Sequence, residues 1–316
     1  MKQIIFIMLL ISNIQANTTQ QEICQFKKVI KNGWSENNQT LNQKIIDLGK
    51  VEVPRIIQKL NIPIKADENK SAIIKIPKIE LTRNDYIILM SYTKYLEVNN
   101  KIPEAIKIYI ESFKGLANTT NTSMLSAIFK LAINNVLTKS LEQALKEKVF
   151  TSDDKLFLYN KLSKLLILDN YYIIEGIKSE KNINFQLINQ MKTDKYNKVY
   201  LKTYKQAFHK VNDDYWNTLI NATRMNNLFK TQHNEEERLN RLLFWNKTKL
   251  FFLAKKLNIY RELSIPIDKE DYIHHAKYSA INTLLITRPK LYETCQNYLN
   301  MIDNNKKLLL KLKEKQ

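Results

Sequence analysis

The sequence contains very little glycine and proline, with four glycines and six prolines among 316 residues. Phosphate-binding loops and dinucleotide-binding fingerprints need two or three clustered glycines, which let the backbone approach a phosphate. Neither pattern occurs here, and the G-x-S-x-G turn of α/β-hydrolases is absent as well. Because β-sheet proteins use glycine in tight turns, the scarcity favours long helices joined by short polar links.

The sequence also lacks an apolar run long enough to span a bilayer, which takes about 20 residues. Its first apolar run, residues 4–11, follows Lys2 and precedes a polar stretch that reaches Ala16. This three-part order is typical of a secretory signal. We therefore predict that residues 1–16 are a cleaved signal peptide and that the mature chain is exported, soluble, to the periplasm or cell envelope. A short uncleaved anchor is the alternative.

Acidic residues are outnumbered, with 31 Asp and Glu against 50 Lys and Arg, so the net charge is +19. Such a charge favours acidic partners: nucleic acid, anionic lipid headgroups or acidic polysaccharide. Export removes nucleic acid from the partners that we expect and leaves anionic lipid or an acidic polymer. The alternative is a lysine-rich solvated surface with no acidic partner.

Hydrophobic periodicity predicts an all-α fold of irregular antiparallel helical hairpins, arranged as a repeat-like array or a large bundle. We predict an N-terminal helical segment at 17–61, a connector at 62–83 and a main helical domain at 84–316. In the first segment, helices are expected at 20–32, 36–48 and 51–61, with Gly33 and Gly49 as stops. In the main domain they are expected at 84–99, 103–116, 122–148, 152–169, 171–180, 194–210, 212–230, 232–259, 268–287 and 289–302. The hydroxyl of Thr151, followed by first-turn carboxylates, marks one of these starts.

The stretch "YLEVNNKIPEAIKIYIESF" (95–113) has the form of a helix, a turn and a second helix. Together with the residues just before it, it resembles a single tetratricopeptide-like unit. That resemblance implies two closely packed antiparallel helices, with Ala105 facing a neighbour. The pattern does not recur 34 residues later, at Lys139, so we predict one repeat-like hairpin rather than a tandem array. The matching positions are Leu89, Tyr92, Thr93, Leu96, Asn100, Ile102, Ala105, Tyr109 and Ser112.

A second resemblance covers more of the chain and concerns the order of its segments. The tract "YLEVNNKIPEAIKIYIESFKGL" and the helix after it are followed later by "LLFWNKTKLFF". This order is similar to that of uncharacterised exported bacterial helical proteins. The resemblance implies an all-helical fold and names no activity.

Two clusters of polar residues are candidate sites of chemistry. In "EDYIHH" (270–275), Glu270 lies one turn before His274, but neighbouring histidines point about 100° apart on a helix. We interpret this cluster as a helix N-terminal turn. In "DDYW" (213–216), adjacent acids on one helix cannot flank one bond, and we interpret them as caps of a helix that begins near Tyr215. We therefore predict no catalytic residue, no metal site and no cofactor.

The predicted helix 232–259 carries more apolar surface than one core stripe needs. Beside a row of leucines it has two aromatic pairs at i,i+7 spacing. A helix that is apolar over so wide an arc is either buried on two sides or docks a partner. The candidate partner-binding residues are Phe244, Trp245, Phe251 and Phe252.

Two further predictions concern covalent modification. Cysteine is rare, and Cys24 and Cys295 lie near opposite ends of the mature chain. Because thiols commonly pair in oxidising compartments and domain termini are often close, we predict a disulfide between them. Two buried free cysteines are the alternative. The stretch "ENNQT" resembles the extended acceptor sequon of bacterial N-glycosylation, which makes Asn38 a candidate glycosylation site.

The sequence as a whole favours an exported helical binding or scaffold protein with a protein partner in the envelope. One alternative is a hydrolase of an envelope polymer or another enzyme. A second is a peripheral protein held on an anionic membrane, because the segment "NKKLLLKLKEKQ" at 305–316 is basic and partly amphipathic.

Overall fold

The computed structural model describes residues 20–61, 81–118, 124–168, 171–190, 198–224 and 291–314, with short pieces between 230 and 284. The described chain is helical and contains no strand, which confirms the all-α prediction. In this part of the chain, nine helices have defined bounds: α1 (Gln20–Asn32), α2 (Gln39–Leu60), α3 (Arg83–Val98), α4 (Ile102–Asn118), α5 (Met124–Lys146), α6 (Ser152–Leu162), α7 (Tyr171–Asn189), α8 (Lys198–Arg224) and α9 (Leu291–Lys313).

Helix α1 forms where the sequence predicts it. Its apolar residues Ile23, Phe26, Val29 and Ile30 fall at helical spacing, and all four are buried. Gly33 ends the helix with a φ of 86°, a left-handed conformation that glycine adopts without a steric cost. Its N–H donates to the carbonyl of Val29 at 3.0 Å, as is usual at a helix end.

Helix α2 is one continuous helix, so the predicted break at Gly49 is wrong. The helix passes through both Gly49 and Pro54 and buries Ile45, Val53 and Ile56. Gly49 lies against the ring of Tyr92 on α3, and a Cβ at this position would overlap that ring. The glycine therefore permits close helix packing and does not stop the helix.

Helices α3 and α6 begin with capping boxes, in which a threonine and a carboxylate three residues later satisfy each other's backbone N–H. At α6, the N–H of Thr151 donates to Asp154 at 3.0 Å and the N–H of Asp154 donates to the Thr151 hydroxyl at 3.2 Å. The start predicted at Thr151 is confirmed. Thr82 and Asp85 form the corresponding box at α3.

A first hydrophobic core joins α1 to α6 with the last turns of α9. Helix α3 lies at its centre and packs against α1, α2, α4 and α5. This position explains why α3 is buried on nearly all sides. The two N-terminal helices thus share a core with the helices that follow residue 83.

A second hydrophobic core is built by α7, α8, the start of α5 and the first half of α9, together with Leu239, Ala276, Ala280 and Leu284. Helices α5 and α9 pack side by side and enter both cores. Where the two cores meet, the side-chain amide of Asn134 donates to Asn305 Oδ1 at 3.0 Å, and the amide of Asn305 donates to the Ile167 carbonyl at 2.9 Å. Both asparagines are buried, and this pair satisfies them at the junction.

The predicted boundary between two helices near residue 211 is wrong, because α8 is continuous. Tyr204, Phe208, Tyr215 and Leu219 follow one face of that helix, and all four are buried in the second core. Asp213 therefore lies inside a helix and is not a cap. Helix α7 and helix α9 also extend beyond the predicted ends at residues 180 and 302.

None of the helices in the described ranges has the length and apolar character needed to cross a lipid bilayer.

Candidate functional site

The structure describes only some of the residues that the sequence predicts as sites. Phe244, Trp245, Phe251 and Phe252 lie outside the described residues. Asn38 is exposed at the start of α2, where its Oδ1 accepts from the N–H of Leu41 at 3.2 Å. Asn38 is thus the N-cap of α2, and its glycosylation stays a prediction.

The predicted disulfide is absent from the structure, in which Cys24 and Cys295 are free and not at bonding distance. Cys24 is exposed on α1, on the side of the helix away from its buried residues. Cys295 is buried in the second core, whereas α1 packs into the first. The α9 residues that reach the first core, Leu308 and Leu312, lie more than three helical turns beyond Cys295.

The structure describes the acidic and histidine clusters only in part, because residues 271–273 of "EDYIHH" lie outside the described residues. No group of three or more His, Cys, Asp or Glu side chains that could hold a metal occurs among the described residues. Asp213 forms an ion pair with Lys181 of α7 at 2.9 Å, and its neighbour Trp216 is buried with its indole N–H donating to Asn212. The "DDYW" stretch therefore joins α8 to α7 and fills the second core.

A polar network of Lys94, Glu97, Tyr109 and Ser140 lies inside the first core. The Lys94 ammonium donates to Glu97 at 2.7 Å, and the Tyr109 hydroxyl donates to the other Glu97 oxygen at 2.8 Å. The Tyr109 hydroxyl also lies 2.8 Å from the Ser140 hydroxyl. The network joins α3, α4 and α5, the helices around the tetratricopeptide-like segment. Ala105 of that segment is fully buried.

Burial has the largest effect on the pKa values of the ionisable groups Glu97 and Tyr109 in this network. Burial raises the pKa of Glu97 even though Lys94 and the hydrogen bonds from Lys94 and Tyr109 lower it. Burial also raises the pKa of Tyr109, and the nearby Glu97 adds to that effect. All four side chains are buried, so the network fixes the packing of three helices rather than meeting a ligand.

Lys130 is a second buried charge, on the first half of α5 facing α7. Its ammonium lies 3.7 Å from the centre of the Tyr172 ring and has no hydrogen-bond partner within the described structure. Burial lowers the pKa of Lys130 to about 7. The side chain has no exposed surface, which separates it from any ligand in solution.

The feature best suited to binding is an aromatic strip formed by Trp34, Tyr95 and Tyr92. The ring centres of Trp34 and Tyr95 are 5.7 Å apart, and those of Tyr95 and Tyr92 are 5.6 Å apart. The inner edges of all three rings pack on the first core. The rings are only half-buried, so they leave a continuous aromatic surface open to solvent.

Two glycines hold the aromatic strip in place. Gly33 turns the chain at the end of α1 and places Trp34 beside Tyr95, and its missing Cβ leaves room for Glu147. Gly49 gives Tyr92 a flat surface on α2. Tyr92 and Tyr95 are three residues apart on α3 and therefore share one face of that helix. Backbone packing thus fixes the positions of the rings before any ligand arrives.

Two carboxylates border the aromatic strip. Burial raises the pKa of Tyr92, and the neighbouring Tyr95 and the negative charge of Glu104 raise it further. Glu147 fills the space beside Gly33 and accepts from the Gln143 amide at 2.8 Å. Both glutamates are exposed, so the strip has an acidic border on a basic protein.

Sequence reasoning did not identify the aromatic strip. Trp34 comes from the turn after α1, whereas its partner Tyr95 is 61 positions later in the sequence, so no local pattern joins them. Two signals were present: a tryptophan directly after a helix-ending glycine, and two tyrosines at i,i+3 spacing on a helix whose other faces are apolar.

Comparison of the chain with protein-family models, with curated proteins and with solved structures found no match.

Proposed function

We propose that this protein is an exported helical binding protein of the periplasm or cell envelope, and that the aromatic strip is its contact surface for a partner protein. The observation that carries the proposal is the continuity of three half-buried rings, Trp34, Tyr95 and Tyr92, at spacings below 6 Å. Tyr and Trp are enriched at the positions that contribute most to protein–protein binding.

The fixed placement of these rings also supports a binding role. Binding has an entropic cost for each side chain that becomes immobilised, and a surface that is already ordered avoids part of it. Tyr92 rests on Gly49, and Trp34 is held by the turn at Gly33. A partner would therefore meet rings whose orientation the fold has already set.

The membrane-bound alternative receives less support from the basic segment near residue 310. Leu308 and Leu312 of α9 are buried in the first core, so they are not available to insert between lipids. Leu310 is 61% exposed, but a single exposed leucine among lysines is ordinary for a soluble surface. The described surface therefore supports a partner protein at the aromatic strip better than it supports membrane binding.

Export is tested with an alkaline phosphatase reporter fused after residue 61, because this enzyme becomes active only outside the cytoplasm. We expect activity from the full N-terminal segment and none when residues 2–16 are deleted. Equal activity with and without these residues would show that they are not an export signal.

Partner binding is tested in the native cell by photocross-linking from residue 35, the exposed position next to Trp34. We expect a discrete adduct that disappears when Tyr95→Leu removes the central ring. A cross-linker at the exposed Lys210 of α8 is the matched control and should give no adduct that depends on Tyr95. An adduct at residue 35 that persists unchanged in Tyr95→Leu would exclude the aromatic strip as the contact surface.

A further inference from the structure

Two exposed carboxylates, Glu104 and Glu147, accompany the aromatic strip on a protein whose net charge is positive. The chain carries 19 more cationic than anionic side chains. Within the described structure, several carboxylates have a cationic partner, as Glu52 has Arg55 and Glu175 has Lys178. Glu104 and Glu147, which border the strip, form no ion pair in the same described ranges. Cations are abundant in this chain, so a lack of cations does not explain these two unpaired carboxylates.

Aromatic faces and unpaired carboxylates together select for one kind of ligand group. The face of a tyrosine or tryptophan ring carries negative potential and attracts a cation placed over it. A guanidinium group adds a flat surface that stacks on rings and a donor fork that fits a carboxylate. A lysine ammonium offers the charge without the flat surface. Arginine is therefore the side chain that matches both parts of this surface.

We propose that the aromatic strip binds an arginine-bearing segment of the partner protein, with the guanidinium over the Tyr92–Tyr95 rings and with Glu104 and Glu147 as its counter-charges. This inference rests on the proposed function and names the chemistry of the partner. The net positive charge of the rest of the chain repels a basic segment and so adds specificity for the aromatic strip.

The test uses the full mature protein labelled with 5-fluorotryptophan, so that the fluorine signal of Trp34 reports on the strip. Trp34→Phe assigns that signal. The probe is the peptide acetyl-Gly-Arg-Ser-Arg-Gly-amide. The same peptide with citrulline in place of arginine keeps the flat side-chain group and removes its charge. A third peptide carries glutamate at both positions.

We expect the arginine peptide to shift the Trp34 signal with saturation, while the citrulline and glutamate peptides do not. Tyr95→Leu should weaken binding at least about fivefold, and Tyr95→Phe, which keeps the ring, should stay within about twofold. The double variant Glu104→Gln with Glu147→Gln should weaken binding about fivefold. Phe157→Leu is the matched control, because it removes an exposed ring of α6 that lies beside Lys161, and it should leave binding unchanged.

Three results would overturn the inference: equal binding of the citrulline peptide, tighter binding of the glutamate peptide, or binding that is unchanged in Tyr95→Leu. Its failure can be told apart from failure of the proposed function. If cross-linking from residue 35 depends on Tyr95 but the arginine peptide does not bind, the partner contact stands and its cationic chemistry is wrong. If the Tyr95-dependent cross-link from residue 35 and the binding of the arginine peptide are both absent, both proposals are wrong.

Discussion

Lys130 is the residue at which burial and charge are in strongest conflict. Its ammonium contacts the Tyr172 ring, and within the described structure it has no hydrogen bond to offset the loss of water. Burial therefore lowers its pKa from 10.5 to about 7. An amine held in this way reduces stability wherever the unfolded chain would carry the proton and the folded chain would not.

We predict that Lys130→Met raises the free energy of unfolding at pH 7 by about 1–3 kcal/mol, because an apolar side chain of similar length replaces a buried amine. Between pH 7 and pH 10 the unfolded lysine keeps its proton, whereas the folded lysine loses it. Rising pH therefore stabilises the wild type, by up to about 1.4 kcal/mol per pH unit, and does not affect the variant through this site. Urea denaturation across this range measures the difference, which should shrink as the pH rises. A difference that is constant with pH would show that Lys130 keeps its proton in the folded protein.

At the scale of elements, a side chain added at Gly49, where α2 meets α3, would have two opposite effects on the stability of the protein. Alanine at Gly49 would add about 1 kcal/mol of helix propensity. Its Cβ would also overlap the Tyr92 ring, and overpacking of this kind costs about 1–3 kcal/mol. The overlap is with ring carbons rather than with the end of a flexible chain. We therefore expect the steric cost to exceed the gain in helix propensity.

We predict that Gly49→Ala lowers the stability of the protein by up to about 2 kcal/mol and displaces Tyr92 from the aromatic strip. Thermal denaturation measures the first effect, and the fluorine signal of Trp34 reports the second. Val51→Ala is the matched control, because Val51 lies two residues further along α2 and is 70% exposed. If Gly49→Ala is as stable as the wild type or more so, α2 and α3 do not meet as closely as the structure shows.

The sequence predicted those helices whose boundaries are local. Helix α1 and the start of α6 followed from apolar spacing, a glycine stop and a threonine cap, all of which lie within one segment. Gly49 and Asp213 were misread because their roles depend on Tyr92 and on Lys181, which are distant in sequence. A glycine inside a helix has the same local pattern whether it ends the helix or makes room for a neighbour.

The candidate site was harder to predict for the same reason. The aromatic strip requires α1, α3 and the turn after α1 to meet, and its border adds Glu104 of α4 and Glu147, which directly follows α5. The tetratricopeptide-like pattern includes Tyr92, but only as one of its matching positions. Its exposure depends on which helices lie beside α3, and this information is absent from the local sequence.

At the scale of the whole molecule, α5 and α9 run through both cores and couple them. Ala127 and Leu131 of α5 lie in the second core, and Leu137 and Leu141 lie in the first. The Asn134–Asn305 pair closes the junction with two buried amides that would lose their partners if the cores separated. We therefore expect the two cores to unfold together.

We predict that Cys295 becomes reactive only when the whole protein unfolds. It is 4% exposed in the second core, and burial raises its pKa to about 12. In a Cys24→Ser variant, alkylation of Cys295 in increasing urea should follow the loss of helix seen by circular dichroism. A Cys295→Ser variant is the control, because the exposed Cys24 should react without urea. Labelling of Cys295 while the helix signal is still native would show that the second core opens independently.

The position of α9 also bears on how this chain folds as it leaves the ribosome. Leu308 and Leu312 complete a core that otherwise consists of α1 to α6, and Asn305 meets a residue 171 positions earlier. A nascent chain that has emerged as far as residue 168 has every other part of that core, yet still exposes the surface that these two leucines cover. The first core therefore closes only after translation has passed residue 312, and until then the N-terminal helices remain available to chaperones.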